Sequence, residues 1–123
     1  MLKFYKCNHC GNVIVKVVDA GVPVQCCGEA MVELTANTED AAQEKHVPVV
    51  TKKDDRISVV VGEVEHPMSE EHLINCIAVD KGESFEVASL DASKAPAADF
   101  TLSSGENVKD VYAYCSLHGL WKA

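Results

Sequence analysis

Val111-Tyr112-Ala113-Tyr114-Cys115-Ser116-Leu117-His118-Gly119-Leu120-Trp121 reads as a strand that runs straight into a ligand-bearing loop. Its first four residues favour extended backbone. Directly after them, Cys115 and His118 stand three residues apart, so one tight loop can turn a thiolate and an imidazole toward a single metal ion. Three further histidines lie upstream, at His46, His66 and His72.

The texture leading up to this stretch is all-β from His46 onward. Val47-Pro48-Val49-Val50 is strand-like, and Pro48 points to an edge or a strand start. Asp54-Asp55 marks a turn before Ile57-Ser58-Val59-Val60-Val61-Gly62, and Leu73 to Val79 is a nearly continuous apolar run of buried-strand length. Asp80-Lys81-Gly82-Glu83 is a hairpin-like turn; Phe85 to Leu90 then alternates cleanly. A softer stretch, Asp91 to Ala98, precedes Phe100-Thr101-Leu102. Short strands divided by turns at this spacing predict an immunoglobulin-like, seven-stranded β-sandwich over residues 37–123. Residues 37–45 are polar and read as a linker, with one helical turn around Glu39 to Gln43.

Residues 1–36 form a unit of their own. Phe4-Tyr5-Lys6 is a short strand, Val13 to Val18 a β-branched one closed by Asp19-Ala20-Gly21, and Met31 to Leu34 a returning third. A unit this small cannot bury enough apolar surface to stand alone, so a staple is expected. Cys7-x-x-Cys10 followed by Cys26-Cys27-Gly28 supplies four thiols at a spacing that suits a tetrahedral metal site. Disulfides, a structural zinc and an iron centre all satisfy that spacing. The adjacent pair departs from the usual second C-x-x-C and should distort the tetrahedron. His9 lies inside the first knuckle but is surplus to four thiolates, and reads as a surface residue.

Composition narrows the class. Hydrophobic residues make up 47% of 123, enough for a core, and aromatics at 6% leave that core to Val, Ile, Leu and Ala. No apolar run approaches the roughly 20 residues needed to span a bilayer. Lys3 and Lys6 interrupt any secretory apolar segment behind Met1, so a soluble, cytoplasmic protein without membrane contact is expected. In that setting paired cysteines read better as metal ligands than as disulfides. A formal net charge of -8 without a basic stripe argues against nucleic acid as a partner.

The histidines pose a geometric problem. His66 and His72, six residues apart, would point to nearly opposed sides of a helix. On one straight strand they would lie roughly 20 Å apart. Neither closes on one ion. Pro67 biases His66 to extended backbone, and Met68-Ser69-Glu70-Glu71 can fold back as a loop that brings His72 round. Each histidine alone is as readily a surface residue, and Cys115 alone a buried small hydrophobe.

Glu44-Lys45-His46-Val47-Pro48, then His66-Pro67-Met68 with His72 beyond, then Cys115 to Trp121, resemble the superoxide reductase family. Cys7-x-x-Cys10 with Cys26-Cys27-Gly28 resembles the desulforedoxin-type module of its two-iron branch, the desulfoferrodoxins. The resemblance runs from Met1 to Trp121 and departs at Cys76, where an aromatic is common; Cys76 is read as a core residue. It implies two iron ions per chain. Cys7, Cys10, Cys26 and Cys27 would hold one in a desulforedoxin-like domain at 1–36. The imidazoles of His46, His66, His72 and His118 with the axial thiolate of Cys115 would hold the other in a catalytic domain at 37–123, leaving a sixth position open. The implied activity is one-electron reduction of superoxide to hydrogen peroxide, with a rubredoxin-like electron donor and a homodimer as partners.

By the same resemblance, Lys45 would attract the anion and help deliver a proton, and Glu44 would occupy the sixth position in the resting ferric state. Physics supports Lys45, since a globally acidic chain repels an anionic substrate unless a local positive charge focuses it. Without the resemblance both are solvated linker charges. Two other classes use the same residues: a non-enzymatic two-iron electron carrier, and a zinc-stapled sandwich acting as an interaction module. Colour separates zinc from iron, because iron–thiolate sites absorb visible light.

Overall fold

The computed structural model describes residues 2–123, which divide into two compact units, Leu2–Thr35 and Ala36–Ala123. In the first, β1 (Phe4–Lys6) lies between β2 (Val13–Val15) and β5 (Val32–Glu33), antiparallel to both. A two-residue turn joins β3 (Gln25–Cys26) to β4 (Glu29–Ala30). Phe4 and Cys7 are the buried hydrophobic residues of this unit among those described. So small a core cannot offset the chain entropy of some thirty ordered residues, and a metal cross-link fits the deficit. The strand expected over Val13 to Val18 stops at Val15; Val17 and Val18 stand 83% and 84% exposed.

The second unit is a sandwich of two antiparallel sheets. β6 (Pro48–Lys53), β7 (Arg56–Val61) and β10 (Ala97–Thr101) form one, in the order β6-β7-β10. β8 (Ile74–Asp80), β9 (Phe85–Ser89), β11 (Asp110–Cys115) and β12 (Gly119–Lys122) form the other, in the order β12-β11-β8-β9. The first, second and fifth strands thus face the rest, which is immunoglobulin-like connectivity with the fourth strand on the second sheet. No helix among the described residues is long and apolar enough to cross a membrane.

Period-two burial builds the core between the sheets. Ile57, Val59 and Val61 of β7 face Ile77, Val79, Val111, Ala113 and Cys115, with Phe100 and Leu102 closing one side. In β8 the alternation from Val79 and Ile77 would put polar Asn75 inward. A bulge shifts the register between Tyr114 and Cys115, so that Cys115 pairs with Ile74 and Ile74 takes the inward place.

Three features differ from the sequence expectation. β10 begins at Ala97, inside the stretch expected to be soft, because Ala97 and Ala98 pair with Val60 and Val59. β12 was not anticipated: the chain turns back on β11 through Ser116–His118, and Gly119 at φ 77 supplies the left-handed residue such a loop requires. The single helical turn, α1, spans Gln43–His46 rather than Glu39 to Gln43.

The polar segment before α1 is fastened rather than free. Asn37 donates its backbone N–H to the Leu120 carbonyl at 3.0 Å and its Nδ2 to the Lys122 carbonyl at 3.0 Å. Its Oδ1 accepts the Lys122 N–H at 2.8 Å. One amide side chain thereby satisfies the open edge of β12, from a left-handed backbone (φ 62) that asparagine tolerates. Asn37→Ala removes both side-chain bonds and is expected to cost about 1–2 kcal/mol. Urea unfolding of the full chain, followed at the sandwich transition, measures it.

Candidate metal centres

The first centre is built by two turns. Cys7 and Cys10 sit on a knuckle closed by Cys7 N–H to the Asn12 carbonyl (2.9 Å) and Gly11 N–H to the Cys7 carbonyl (3.0 Å). Opposite it, Cys27 and Gly28 carry φ of 54 and 79, the two positive values of a tight hairpin turn between β3 and β4. Successive residues on a strand point to opposite faces. The left-handed conformation of Cys27 overcomes this and turns the adjacent pair to the same side. The distortion expected of neighbouring ligands is therefore taken up by the backbone.

All four sulfurs lie within 4.8 Å of one another, and Cys10 Sγ is 3.6 Å from Cys26 Sγ. A tetrahedral cation with bonds of about 2.3 Å sets sulfurs about 3.8 Å apart, so the spacing fits. The thiols are unequal. Backbone N–H groups of Cys10 and His9 pull Cys7 down to about 6, and crowding by the other three sulfurs pushes Cys27 up to about 12. His9 is exposed, with its Nε2 3.0 Å from Glu29 Oε1, outside the sulfur cluster.

The second centre draws on four separate segments. α1 supplies His46, the turn after β7 supplies His66, the loop before β8 supplies His72, and the β11–β12 hairpin supplies Cys115 and His118. The rings are arranged in the cyclic order His46, His66, His72, His118. Neighbouring centroids lie 4.7, 4.6, 5.0 and 4.9 Å apart, each pair nearly perpendicular. The His46–His72 diagonal, at 6.4 Å, exceeds every side, as the corners of a near-square require.

Which nitrogen faces inward follows from where the other is spent. His46 Nδ1 meets the Ala42 carbonyl at 2.7 Å and His66 Nδ1 the Pro67 carbonyl at 2.7 Å, so both are held with Nε2 toward the centre. His72 Nε2 is buried with no hydrogen-bond partner, a cost that a cation would remove. His118 turns the other way: its Nδ1 is 3.2 Å from His46 Nε2 and 3.9 Å from Cys115 Sγ. Cys115 Sγ is 3.4 Å from His66 Nε2 and fully buried at the end of the hydrophobic core. The inward atoms of His46, His66, His72 and Cys115 all lie within 4.8 Å of one another, and His118 stands against two of them.

Burial favours the ligating form of the imidazoles: His46 and His72 are shifted below the usual histidine value, and His66 falls to about 4. Burial also pushes the Cys115 thiol up, opposed by backbone N–H groups of Leu117 and His118 aimed at its sulfur. Trp121, fully buried, stacks on His46 (centroids 4.9 Å apart, planes at 25°) and donates its Nε1–H to the His118 carbonyl at 3.0 Å. It braces one ring and the backbone that carries another, a role that no spacing announces.

A cavity of about 380 Å³ opens over the square, lined by the four histidines with Ala41, Ala42, Lys45 and Pro67. Cys115 is not on its wall, so the thiol backs the square and the cavity fronts it. Glu44 lines the neighbouring hollow with Gln43, Val47, Pro48, Val49 and Glu63. Cys76 is half-buried on β8, its thiol pushed up to about 11 by burial, and lies outside both donor sets.

The desulfoferrodoxin family model matches residues 38–123. Over 99% of its length the chain is 44% identical to a desulfoferrodoxin of Clostridium acetobutylicum, covering 95% of that protein. The chain belongs to the desulfoferrodoxin family. A desulfoferrodoxin of Nitratidesulfovibrio vulgaris is 42% identical over 98% of this chain and 94% of its own. Among solved structures, the superoxide reductase of Treponema pallidum superposes with a TM-score of 0.84 at 32% identity, covering all of this chain and 98% of that one. The two donor sets fit the two iron ions of a desulfoferrodoxin: four soft thiolates for one, imidazoles with a thiolate for the other.

Ligation requires thiolates, so a thiol held protonated must release its proton to the metal. With Cys26 shifted upward and Cys27 up to about 12, the metal-free first centre is partly protonated at neutral pH. Ferrous loading at pH 7 is expected to release more than one proton per ion at this centre, and affinity should rise steadily with pH. Titration calorimetry in two buffers of different ionisation enthalpy reads the protons directly.

Proposed function

We propose that this chain is a superoxide reductase acting through the second centre. The observation that carries the reading is the near-square of four imidazoles, backed by a buried thiol and fronted by a cavity with a cation on its wall. The chemistry an iron ion supplies there is one-electron reduction, in which superoxide takes up one electron and two protons and leaves as hydrogen peroxide.

The chain's own residues do the rest. His46, His66, His72, His118 and Cys115 hold the ion, with the Cys7, Cys10, Cys26 and Cys27 set holding the other. Lys45 is exposed at the cavity, and its charge reaches the His46 and His72 rings. In a chain of net charge -8 it is the local focus that draws a small anion in and can hand it a proton. Ala41 and Ala42 line the same cavity and add no charge that would offset the field of Lys45. Glu44, one residue away, would have to swing from its own hollow to close the open side in the resting state.

A rubredoxin-like donor is the partner we assign for the returning electron, since each turnover consumes one. Val17, Val18, Val22 and Val32 expose apolar surface on the first unit, which supports a homodimer. Commitment of five cysteines to metal ligation suits a reducing, cytoplasmic setting.

Mixing the reduced, iron-loaded protein with pulse-generated superoxide tests the activity. One hydrogen peroxide is expected per superoxide, with no dioxygen. Half an equivalent accompanied by dioxygen would mean dismutation, and no reaction would leave an electron carrier; either sinks the proposal. Lys45→Ala should lower the second-order rate constant about tenfold and flatten its dependence on ionic strength. An unchanged constant would remove Lys45 from the mechanism.

A further inference from the structure

Gly62 is buried just past the end of β7, and its φ lies outside the left-handed region, so what bears on a side chain there is the space around it. A Cβ there would sit 2.5 Å from the Glu44 carbonyl oxygen, 2.8 Å from the Lys45 carbonyl carbon and 3.0 Å from that of Glu44. All three are backbone atoms, which cannot step aside as a flexible side chain would. The same Glu44 oxygen accepts the Val64 N–H at 2.9 Å. The turn after β7 therefore forms a seat for the Glu44–Lys45 peptide, made of one missing side chain and one hydrogen bond.

What rests on that seat matters to the second centre. Lys45 leaves the chain there, and His46 follows with its ring fixed by the Ala42 carbonyl (2.7 Å) and its turn closed by Val47 N–H to the Gln43 carbonyl (2.9 Å). The turn that provides the seat also aims His66, whose N–H bonds the Val61 carbonyl at 3.0 Å. One short piece of chain thus sets the distance between two imidazoles and the position of the cation beside them.

We propose that Gly62 is a positioning residue: its bare backbone lets the Glu44–Lys45 peptide dock directly on the turn after β7, locking His46 and Lys45 in register with His66. For Lys45 the proposal rests on the superoxide-reductase reading; for His46 it rests on the packing alone.

Gly62→Ala in the iron-loaded full chain, with Glu63→Ala as control, tests it. Amide exchange at Val64 should quicken at least tenfold while Val61, bonded to the Pro96 carbonyl, keeps its protection. Iron should leave the histidine centre for a chelator about tenfold faster, with an altered ferric resonance spectrum, while the thiolate centre keeps its own. Wild-type exchange, release and spectrum would overturn the proposal. So would an equal loss of protection at Val64 and Val61, which would mark general destabilisation. Should the variant not accumulate, the wild-type chain decides: stripping the histidine iron must raise exchange at Val64 and Val47 more than at Val61, because a seat coupled to a ligand is coupled in both directions. No difference among them overturns the proposal. Failure of wild-type protein to reduce superoxide would sink the functional reading and leave this one to stand on exchange and iron release.

Discussion

Everything in the second unit answers to one constraint: four imidazoles, two buried and two partly so, and a buried thiol must be held a few ångströms apart. Clustered bases of this kind repel one another once protonated, and burial removes the solvent that would screen them. The sandwich meets that cost with rigidity. Cys115 is a member of the hydrophobic core as much as of the donor set, and the bulge at Asn75 keeps Ile74 packed beside it. Trp121 adds a flat wall behind His46 and a hydrogen bond to the His118 carbonyl. Packing of this kind helps to fix where the ligands stand.

The open side shows the opposite economy. Two alanines, a proline and one lysine border it, and the lysine reaches it from a peptide clamped at Gly62 and a segment fastened at Asn37. A cation on a floating linker would sample many positions and spread its field. Held between two clamps, it stays near the rings whose protonation it already disfavours. The polar segment that reads as a passive linker is therefore a strap.

These facts mark what a sequence can and cannot carry. Strands written in β-branched alternation, such as Ile57-Ser58-Val59-Val60-Val61, were legible because burial on one face imposes a period of two. The thiol spacing was legible because metal ligation needs few residue types at short range. Asn37 was not, since its partner Lys122 lies 85 residues away and a single amide leaves no periodic trace. Gly62 looked like a strand end, and only the proximity of the Glu44 carbonyl reveals why nothing larger fits. β12 was hidden because Gly119-Leu120-Trp121-Lys122 is too short to alternate visibly. The position of α1 was missed because the lone turn has no side-chain cap to announce it.

The two units also spend their metals differently. In the first, two buried hydrophobic residues among those described and a set of very short strands leave the folding balance to the ion, so binding free energy there is largely folding free energy. In the second, eleven buried residues form a continuous core between the sheets, and Cys115 belongs to that core as well as to the donor set. One unit uses coordination as a staple and the other as a tool, and the difference is set by how much apolar surface each stretch of chain can hide.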